Sequence, residues 1–302
     1  MPESVVEVRN LTHDYGEVVA LNQLDLEIPP GITGLVGANG AGKTTMLRIL
    51  LGLLHPTRGS AVVLGSDSEK EPLKVRSRVG YMPEGNCIAE DLTAAEFVAY
   101  TAELAGLPRR EAKRRASETL FLVGLAEERF RFLGDFSTGM KQRVKLAQAL
   151  VHDPDLVLLD EPASGLDPKG REQMLALIRR LGDLGLNIIM SSHVLSDIEQ
   201  TCQWVVMLDG GTLLRSGPLG EFDQLGTVLV EVITNAEGVS TSLARKGIES
   251  QIDGPRIFVG PGDSTLEAVI LEAIAIEKAG LVRMTRSSAS LEDLFLAGSS
   301  DD

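Results

Sequence analysis

Cysteine, uninterrupted apolar sequence and positive charge are all scarce in this chain. Only Cys87 and Cys202 are present. They lie far apart and in no metal-ligand spacing, which argues against a disulfide framework or a thiolate metal centre and reads as two free thiols in a reducing compartment. No uncharged apolar run reaches the roughly 20 residues that cross a bilayer as a helix. The stretch Ala268 to Ile276 is broken by Glu272, and Ile28 to Gly42 is rich in Gly and Pro. The N-terminal residues show no basic region and no signal-type apolar segment, so a cytosolic chain is expected. Lys and Arg number 29 against 43 Asp and Glu, a formal net charge of −14. Phosphate backbones require basic patches, so that balance argues against a nucleic-acid partner. The basic run Arg109-Arg110-Glu111-Ala112-Lys113-Arg114-Arg115 could face anionic lipid or a partner, but a solvated helix face is the favoured reading.

What is present is ordinary in composition and specific in pattern. The 302 residues, 43% hydrophobic and 24% charged, suggest about two domains with ample core. Strand and helix readings alternate from Val5 to Leu214, which predicts an α/β core with a mainly parallel sheet. Between about Thr93 and His152 no convincing strand is found; helices are expected there, Thr93–Leu104 and Arg109–Leu122 among them. A hairpin reading, Trp204 to Leu214 with Asp209-Gly210-Gly211 as its turn, closes the core. Beyond it, residues 223–302 read as strand (Thr227–Ile233), helix (Ser240–Lys246), strand (Glu249–Ile252), strand (Arg256–Val259), helix (Ser264–Ala279) and strand (Leu281–Thr285). That is the βαββαβ order of a small ferredoxin-like module. A last helix, Leu291 to Ala297, is capped by Ser290 with Asp293 three residues on. This stretch holds thirteen acids and six basic residues, and no chemistry is assigned to it.

The chemistry lies in short motifs in a fixed order. Gly37-Ala38-Asn39-Gly40-Ala41-Gly42-Lys43-Thr44, followed by Thr45, fits the phosphate-loop pattern GxxxxGK(S/T). It follows an apolar strand reading, Ile32 to Val36, and opens a helix reading, Met46 to Leu54. The glycines let backbone N–H groups turn toward phosphates, the helix start adds its positive end, Lys43 reaches the terminal phosphates and Thr44 can hold Mg²⁺. Asp155-Leu156-Val157-Leu158-Leu159-Asp160-Glu161-Pro162 reads as a strand buried on both faces that delivers two acids to its C-terminal end. Ligands bind at that end of open α/β sheets. Asp160 is placed to orient Mg²⁺, and Glu161 to polarise the water that attacks a γ-phosphate. Ser137 and Thr138 are cap-type residues before a helix reading, Met140 to Val151, and such a helix start is a second anion site.

The run Phe136-Ser137-Thr138-Gly139-Met140-Lys141-Gln142-Arg143 closely resembles the signature of the ATP-binding cassette (ABC) ATPases. With the phosphate loop and the acidic strand, the resemblance covers residues 1 to about 220. It implies a P-loop NTPase fold with an inserted helical subdomain at about 93–152, a nucleotide-binding domain at 1–222 and an accessory module at 223–302. It also implies that Ser137, Thr138, Gly139 and Met140 clamp the γ-phosphate of ATP held by another protomer. Ser164-Gly165-Leu166-Asp167 looks like the family's D-loop, which communicates across the dimer. His193, directly after the apolar strand reading Asn187 to Met190, matches the switch histidine that contacts the γ-phosphate, although a His beside Ser191 and Ser192 is otherwise a helix-cap neighbour. Tyr15 stands where the family stacks a ring on adenine, and could instead be simple packing. Two departures are notable. Glu84 replaces the usual Gln that serves Mg²⁺ and water, adding negative charge near the phosphates, and Thr138 and Met140 replace the commoner Gly and Gln.

The expectation is therefore an ATP-hydrolysing subunit that uses ATP and Mg²⁺, the metal held by Thr44, Glu84 and Asp160. The C-terminal module, ending in Ser290-Leu291-Glu292-Asp293-Leu294-Phe295-Leu296, resembles the exporter-type, drug- and antibiotic-resistance-like branch whose permease is a separate chain. The partners this implies are a transmembrane permease and a second copy or paralogous ATPase, in a head-to-tail sandwich on the inner face of the cell membrane. The competing reading is a soluble single-cassette ATPase acting in assembly or regulation.

Overall fold

A computed structural model describes residues 4–223, 228–260 and 265–286. The chain divides into two compact units, Met1–Ser216 and Gly217–Asp302.

The first unit opens with β1 (Val6–Asp14) and β2 (Val19–Ile28), which pair antiparallel. Val6, Val8, Leu11 and His13 of β1 are buried against Leu21, Leu24, Leu26 and Ile28 of β2, the alternation expected of a half-buried strand. Asn10 and Gln23 adopt positive φ where the register shifts, so bulges bend this pair. Then come β3 (Ile32–Val36), α1 (Lys43–Leu50), β4 (Arg58–Val63), β5 (Ser66–Asp67), α2 (Pro72–Arg76) and β6 (Val79–Met82). β4 and β5 complete a four-stranded sheet in the order β2-β1-β4-β5. Strand–helix alternation does not announce this antiparallel sheet, because β1 and β2 follow each other without a helix.

The helical segment holds α3 (Ala94–Leu104), α4 (Arg109–Leu122), a 3-10 turn (Leu133–Asp135) and α5 (Thr138–Leu150). Thr93 and Glu96 form a reciprocal capping box that starts α3. β7 (Leu156–Leu159), α6 (Pro168–Asp183), β8 (Asn187–Ser192), α7 (Leu195–Thr201), β9 (Trp204–Asp209) and β10 (Thr212–Pro218) follow. The second sheet has the order β10-β9-β3-β8-β7-β6, and the pairings from β9 to β6 are all parallel. Every residue of β3 and β7 is buried, as strands covered on both faces require. Because these strands share one direction, the C-terminal ends of β3, β7 and β8 gather Gly37, Asp160 and His193 along one edge.

Several element ends differ from the sequence reading, and two of them bear on the site. α1 begins at Lys43 rather than Met46, because the Gly42 carbonyl already accepts from Met46 N–H (2.9 Å) and so places the preceding residues in the first turn. β8 continues past Met190 to Ser192, since its last two polar residues are buried among other polar groups.

The second unit holds α8 (Leu219–Asp223), β11 (Val228–Val232), α9 (Ala236–Ala244), β12 (Ser250–Asp253), β13 (Arg256–Val259), α10 (Leu266–Ile276) and β14 (Leu281–Arg286). Its sheet is antiparallel, in the order β12-β13-β11-β14. α9 starts four residues ahead of the expected Ser240, because Asn235 takes a left-handed conformation and its side chain accepts from Gly238 N–H. The expected helix Leu291 to Ala297, with its Ser290 cap, lies outside the described residues, as do Thr227 and Ser264.

Candidate functional site

The loop from Gly37 to Gly42 has little freedom to be anything else. Gly42 sits at φ 97°, and a Cβ there would lie 2.4 Å from the Ala20 carbonyl of β2. A Cβ on Gly37 would lie 2.4 Å from the Leu208 carbonyl of β9. Both positions therefore demand glycine. Lys43 folds back over its own loop and donates from Nζ to the carbonyls of Gly37 (2.7 Å) and Ala38 (3.1 Å). Burial lowers the Lys43 pKa, and the carboxylates of Glu161, Asp160 and Glu84 partly oppose that shift. The remaining N–H groups at the start of α1 face a cleft of about 310 Å³ lined by Asn39, Gly40, Gly42, Lys43, Thr44, Thr45, Glu84 and Glu161, with Ala20. Ala41 is buried beneath it.

Asp160 and Glu161 leave the end of β7 in different environments. Asp160 is 1% exposed and accepts from Thr44 Oγ1 (3.2 and 2.9 Å), from Ser191 Oγ (2.7 Å) and, at 3.5 Å, from the Tyr81 hydroxyl. Burial and the Asp160 carboxylate push the Tyr81 hydroxyl up to about 12. Glu161 takes the left-handed backbone conformation, φ 50°, that turns its side chain back toward the phosphate loop. Its N–H donates to Ser191 Oγ (2.9 Å), and one carboxylate oxygen lies 2.9 Å from His193 Nδ1. The other oxygen, Oε1, is buried with no hydrogen-bond partner among the described residues and stands 3.8 Å from Lys43 Nζ. Glu161 also lines a smaller cleft, about 120 Å³, with Ser164, Gly165, Leu166 and His193.

Ser137 caps α5 by accepting from Met140 N–H (3.3 Å). A Cβ on Gly139 would meet nothing nearer than Leu166 Cδ2 at 3.8 Å, so the helix start is open to a ligand. Ser137, Thr138, Gly139 and Met140 line a cleft of about 600 Å³ together with Gly165, Leu166 and Asp167. Asp167 caps α6 by accepting from Gly170 N–H (3.1 Å). The fold thus joins the signature residues to the Ser164–Asp167 loop, while none of the residues lining this cleft lines the phosphate-loop cleft. Tyr15 is 55% exposed, its hydroxyl 3.5 Å from Thr45 Oγ1 and its ring edge-on to His13.

Four contributors escaped the sequence reading. Ser191 bonds both acidic residues that follow β7, the Asp160 carboxylate and the Glu161 N–H. Tyr81 adds a hydroxyl beside Asp160. Buried Lys145 donates to the Glu84 backbone carbonyl (2.9 Å), fixing the loop that carries Glu84, and burial lowers its pKa. Arg171 of α6 grips Asp197 of α7 with two bonds, 2.7 and 2.8 Å. The serine pair before His193 was a visible signal; the other three residues carried none.

Among the described residues no group of three or more His, Cys, Asp or Glu is placed to hold a metal. Mg²⁺ keeps several waters and takes one or two carboxylates beside substrate phosphates. Thr44 Oγ1 and Asp160 meet at the edge of the phosphate cleft and supply a hydroxyl and one such carboxylate.

A family model described as ABC transporter matches residues 21–164. The chain is 38% identical to an uncharacterized ABC transporter ATP-binding protein of Synechocystis sp., over 93% of this chain and 78% of that protein. It is 32% identical to a Nod factor export ATP-binding protein of Cupriavidus pinatubonensis, over 97% and 90% of the two chains. Among solved structures, a dimeric ATP-binding cassette in a post-hydrolysis state, bound to ADP and Pi, aligns with a TM-score of 0.64 at 25% identity, covering 71% of this chain and 98% of that one. With a phosphate loop and paired acids along one sheet edge, and a capped signature helix apart from them, the chain belongs to the ABC transporter family, as one of its ATP-binding, ATP-hydrolysing proteins.

Proposed function

We propose that this protein is the ATPase subunit of an exporter, and that it works as a head-to-tail pair of cassettes on a separate transmembrane permease. The observation that carries the reading is the separation of two anion-binding helix starts. The start of α1 and the start of α5 open into clefts with no residue in common. A γ-phosphate on Lys43 would meet Ser137 and Gly139 only if a second copy, or a paralogous ATPase, brought them. The relative named for Nod factor export supports the export reading, and the dimeric cassette supports the pairing of two copies. The permease places the protein on the inner face of the cell membrane.

Each site residue then has a role. Gly37, Asn39, Gly40, Ala41, Gly42 and Thr45 form the phosphate cradle, Lys43 neutralises the terminal phosphates and Tyr15 covers the base. Thr44, Asp160 and Glu84 would hold Mg²⁺, which supplies charge neutralisation between the phosphates when bound. Glu161 takes the proton of the water whose oxygen bonds to the γ-phosphorus as the bond to the β-phosphate oxygen breaks. Its unpartnered Oε1 is the acceptor that this step needs. His193 holds the other oxygen and orients the carboxylate. Ser137, Thr138, Gly139 and Met140 act in trans, and Ser164, Gly165, Leu166 and Asp167 link the two halves. Coupling requires that ATP bind the closed pair more tightly than the open one. Residues 1–222 carry this machinery. Residues 223–302 form an accessory module whose strand order supports the ferredoxin-like assignment.

One pair of variants tests the reading. Glu161→Gln should bind MgATP, dimerise and lose hydrolysis by at least about a hundredfold, the usual scale of general-base loss. Ser137→Ala should weaken dimer closure while leaving the monomer's ATP affinity nearly intact. Wild-type turnover by Glu161→Gln would remove Glu161 as the base, and equal loss of both properties in Ser137→Ala would contradict a two-chain site. A multi-span permease co-purifying with Glu161→Gln in MgATP would identify the membrane partner.

A further inference from the structure

Among the described residues, the helices of the C-terminal unit pack on one face of its sheet and leave the other bare. Val228, Val230, Val232, Ile257 and Val259 form a core with residues of α9 and α10 on one side. Strand alternation sends Leu229, Glu231, Arg256 and Phe258 to the other. Strand pairing aligns the bare face in two rows across the order β12-β13-β11-β14. One row is Gln251, Phe258, Leu229, Thr285; the next is Asp253, Arg256, Glu231, Arg283. The first runs polar, apolar, apolar, polar, and the second acid, base, acid, base. Phe258 is 38% exposed, and Arg256 lies 3.9 Å from Glu231. Neither Asp253 nor Arg283 has an ion-pair partner among the described residues. They sit on opposite edge strands, three strand spacings or roughly 14 Å apart.

We infer that this face is a self-complementary contact for the same face of a second copy of the chain. A two-fold axis parallel to the strands reverses the strand order and keeps each row at its own height. Asp253 of one copy then meets Arg283 of the other, and Arg256 meets Glu231, so all four charged contacts pair opposite signs. In the other row Phe258 meets Leu229 and Gln251 meets Thr285. An isologous contact needs a pattern that changes sign on reversal. The order acid, base, acid, base has that property, whereas acid, base, base, acid would set like charges together. The footprint, about 19 Å across four strands and about 14 Å along them, is on the order of 270 Å², well below the ~800 Å² per partner of a stable complex. The contact is weak by itself and needs no nucleotide, so it stands or falls separately from the ATP-bridged pair proposed above.

The test uses the full chain, nucleotide-free and with EDTA, in analytical ultracentrifugation at low salt and about 100 µM, a concentration that registers weak association. The wild-type weight-average mass should rise above the 32.4 kDa of one chain. Asp253→Lys and Arg283→Glu each set like charges at two symmetric positions and should weaken association at least tenfold. The double variant should recover it, and so should an equimolar mixture of the two single variants. Two residues on opposite edges of one sheet cannot restore each other within a chain, so recovery reports contact between copies. Unchanged circular dichroism and ATP binding in each variant show that it is folded. A monomeric wild type at this concentration, single variants that associate like wild type, or failure of both the double variant and the mixture to recover would each overturn the inference.

Discussion

Replacing Ser191 by alanine removes one hydroxyl and disturbs both acids of the active edge. Ser191 is fully buried; its Oγ donates to Asp160 at 2.7 Å and accepts from Glu161 N–H at 2.9 Å. Alanine leaves a buried N–H without a partner, at about 1–3 kcal/mol, and removes a hydrogen bond to a carboxylate, worth about 1.5–3 kcal/mol. Thr44 still serves Asp160, so the two terms overlap and the expected loss of stability is about 3 kcal/mol. Glu161 holds a left-handed backbone conformation that this bond helps to fix. Loosening it should lower kcat about 10- to 100-fold, or about 1.4–2.8 kcal/mol of barrier. ATP binding without Mg²⁺ depends on the phosphate loop and should stay within about twofold. Urea unfolding, steady-state hydrolysis and nucleotide titration measure the three quantities. Ser192→Ala is the control, because that hydroxyl serves the Val194 N–H rather than the acids. A Ser191→Ala protein with wild-type kcat and less than about 1 kcal/mol of lost stability would refute the reasoning.

Gly42→Ala should abolish measurable ATP binding, since its Cβ would sit 2.4 Å from the Ala20 carbonyl at a backbone angle of 97°; ordinary affinity by nucleotide titration would show that the loop can relax. The pH dependence of that affinity follows from Lys43. Burial holds the free lysine's pKa below 10.5, and bound phosphates favour its charged form. Affinity should therefore be full below the free-state pKa and fall as pH rises through it, in the alkaline range under 10.5. In the same range the unfolded chain binds more protons at this position, so Lys43 makes the nucleotide-free protein more stable as pH rises. Affinity that stays flat up to pH 10.5 would contradict the Lys43 account.

Residues that act through local chain geometry were legible in the sequence. The phosphate loop, the Ser137 cap, the acids after β7 and the βαββαβ order of the second unit each follow from neighbours a few positions apart. What escaped was contact between distant polar residues. Ser191 reaches Asp160 across 31 positions, Arg171 reaches Asp197 across 26, and Lys145 reaches the Glu84 carbonyl across 61. An apolar pattern ends β8 at Met190, yet Ser191 and Ser192 remain buried in the strand because other polar groups there satisfy them. The antiparallel sheet and the early start of α9 were missed for related reasons. Bulges at Asn10 and Gln23 interrupt the alternation of β1 and β2, and Asn235 begins a helix from a conformation that composition does not mark.

The Arg171–Asp197 grip gives the site a mechanical property. Arg171 lies four residues after Asp167, and Asp197 four residues after His193, so the two bonds brace the helices that carry those loops. A pull on the Ser164–Asp167 loop should therefore be shared between α6 and α7, and the His193–Glu161 contact should carry it to the carboxylate. The brace turns two loops into one lever, with the Glu161 carboxylate at its far end.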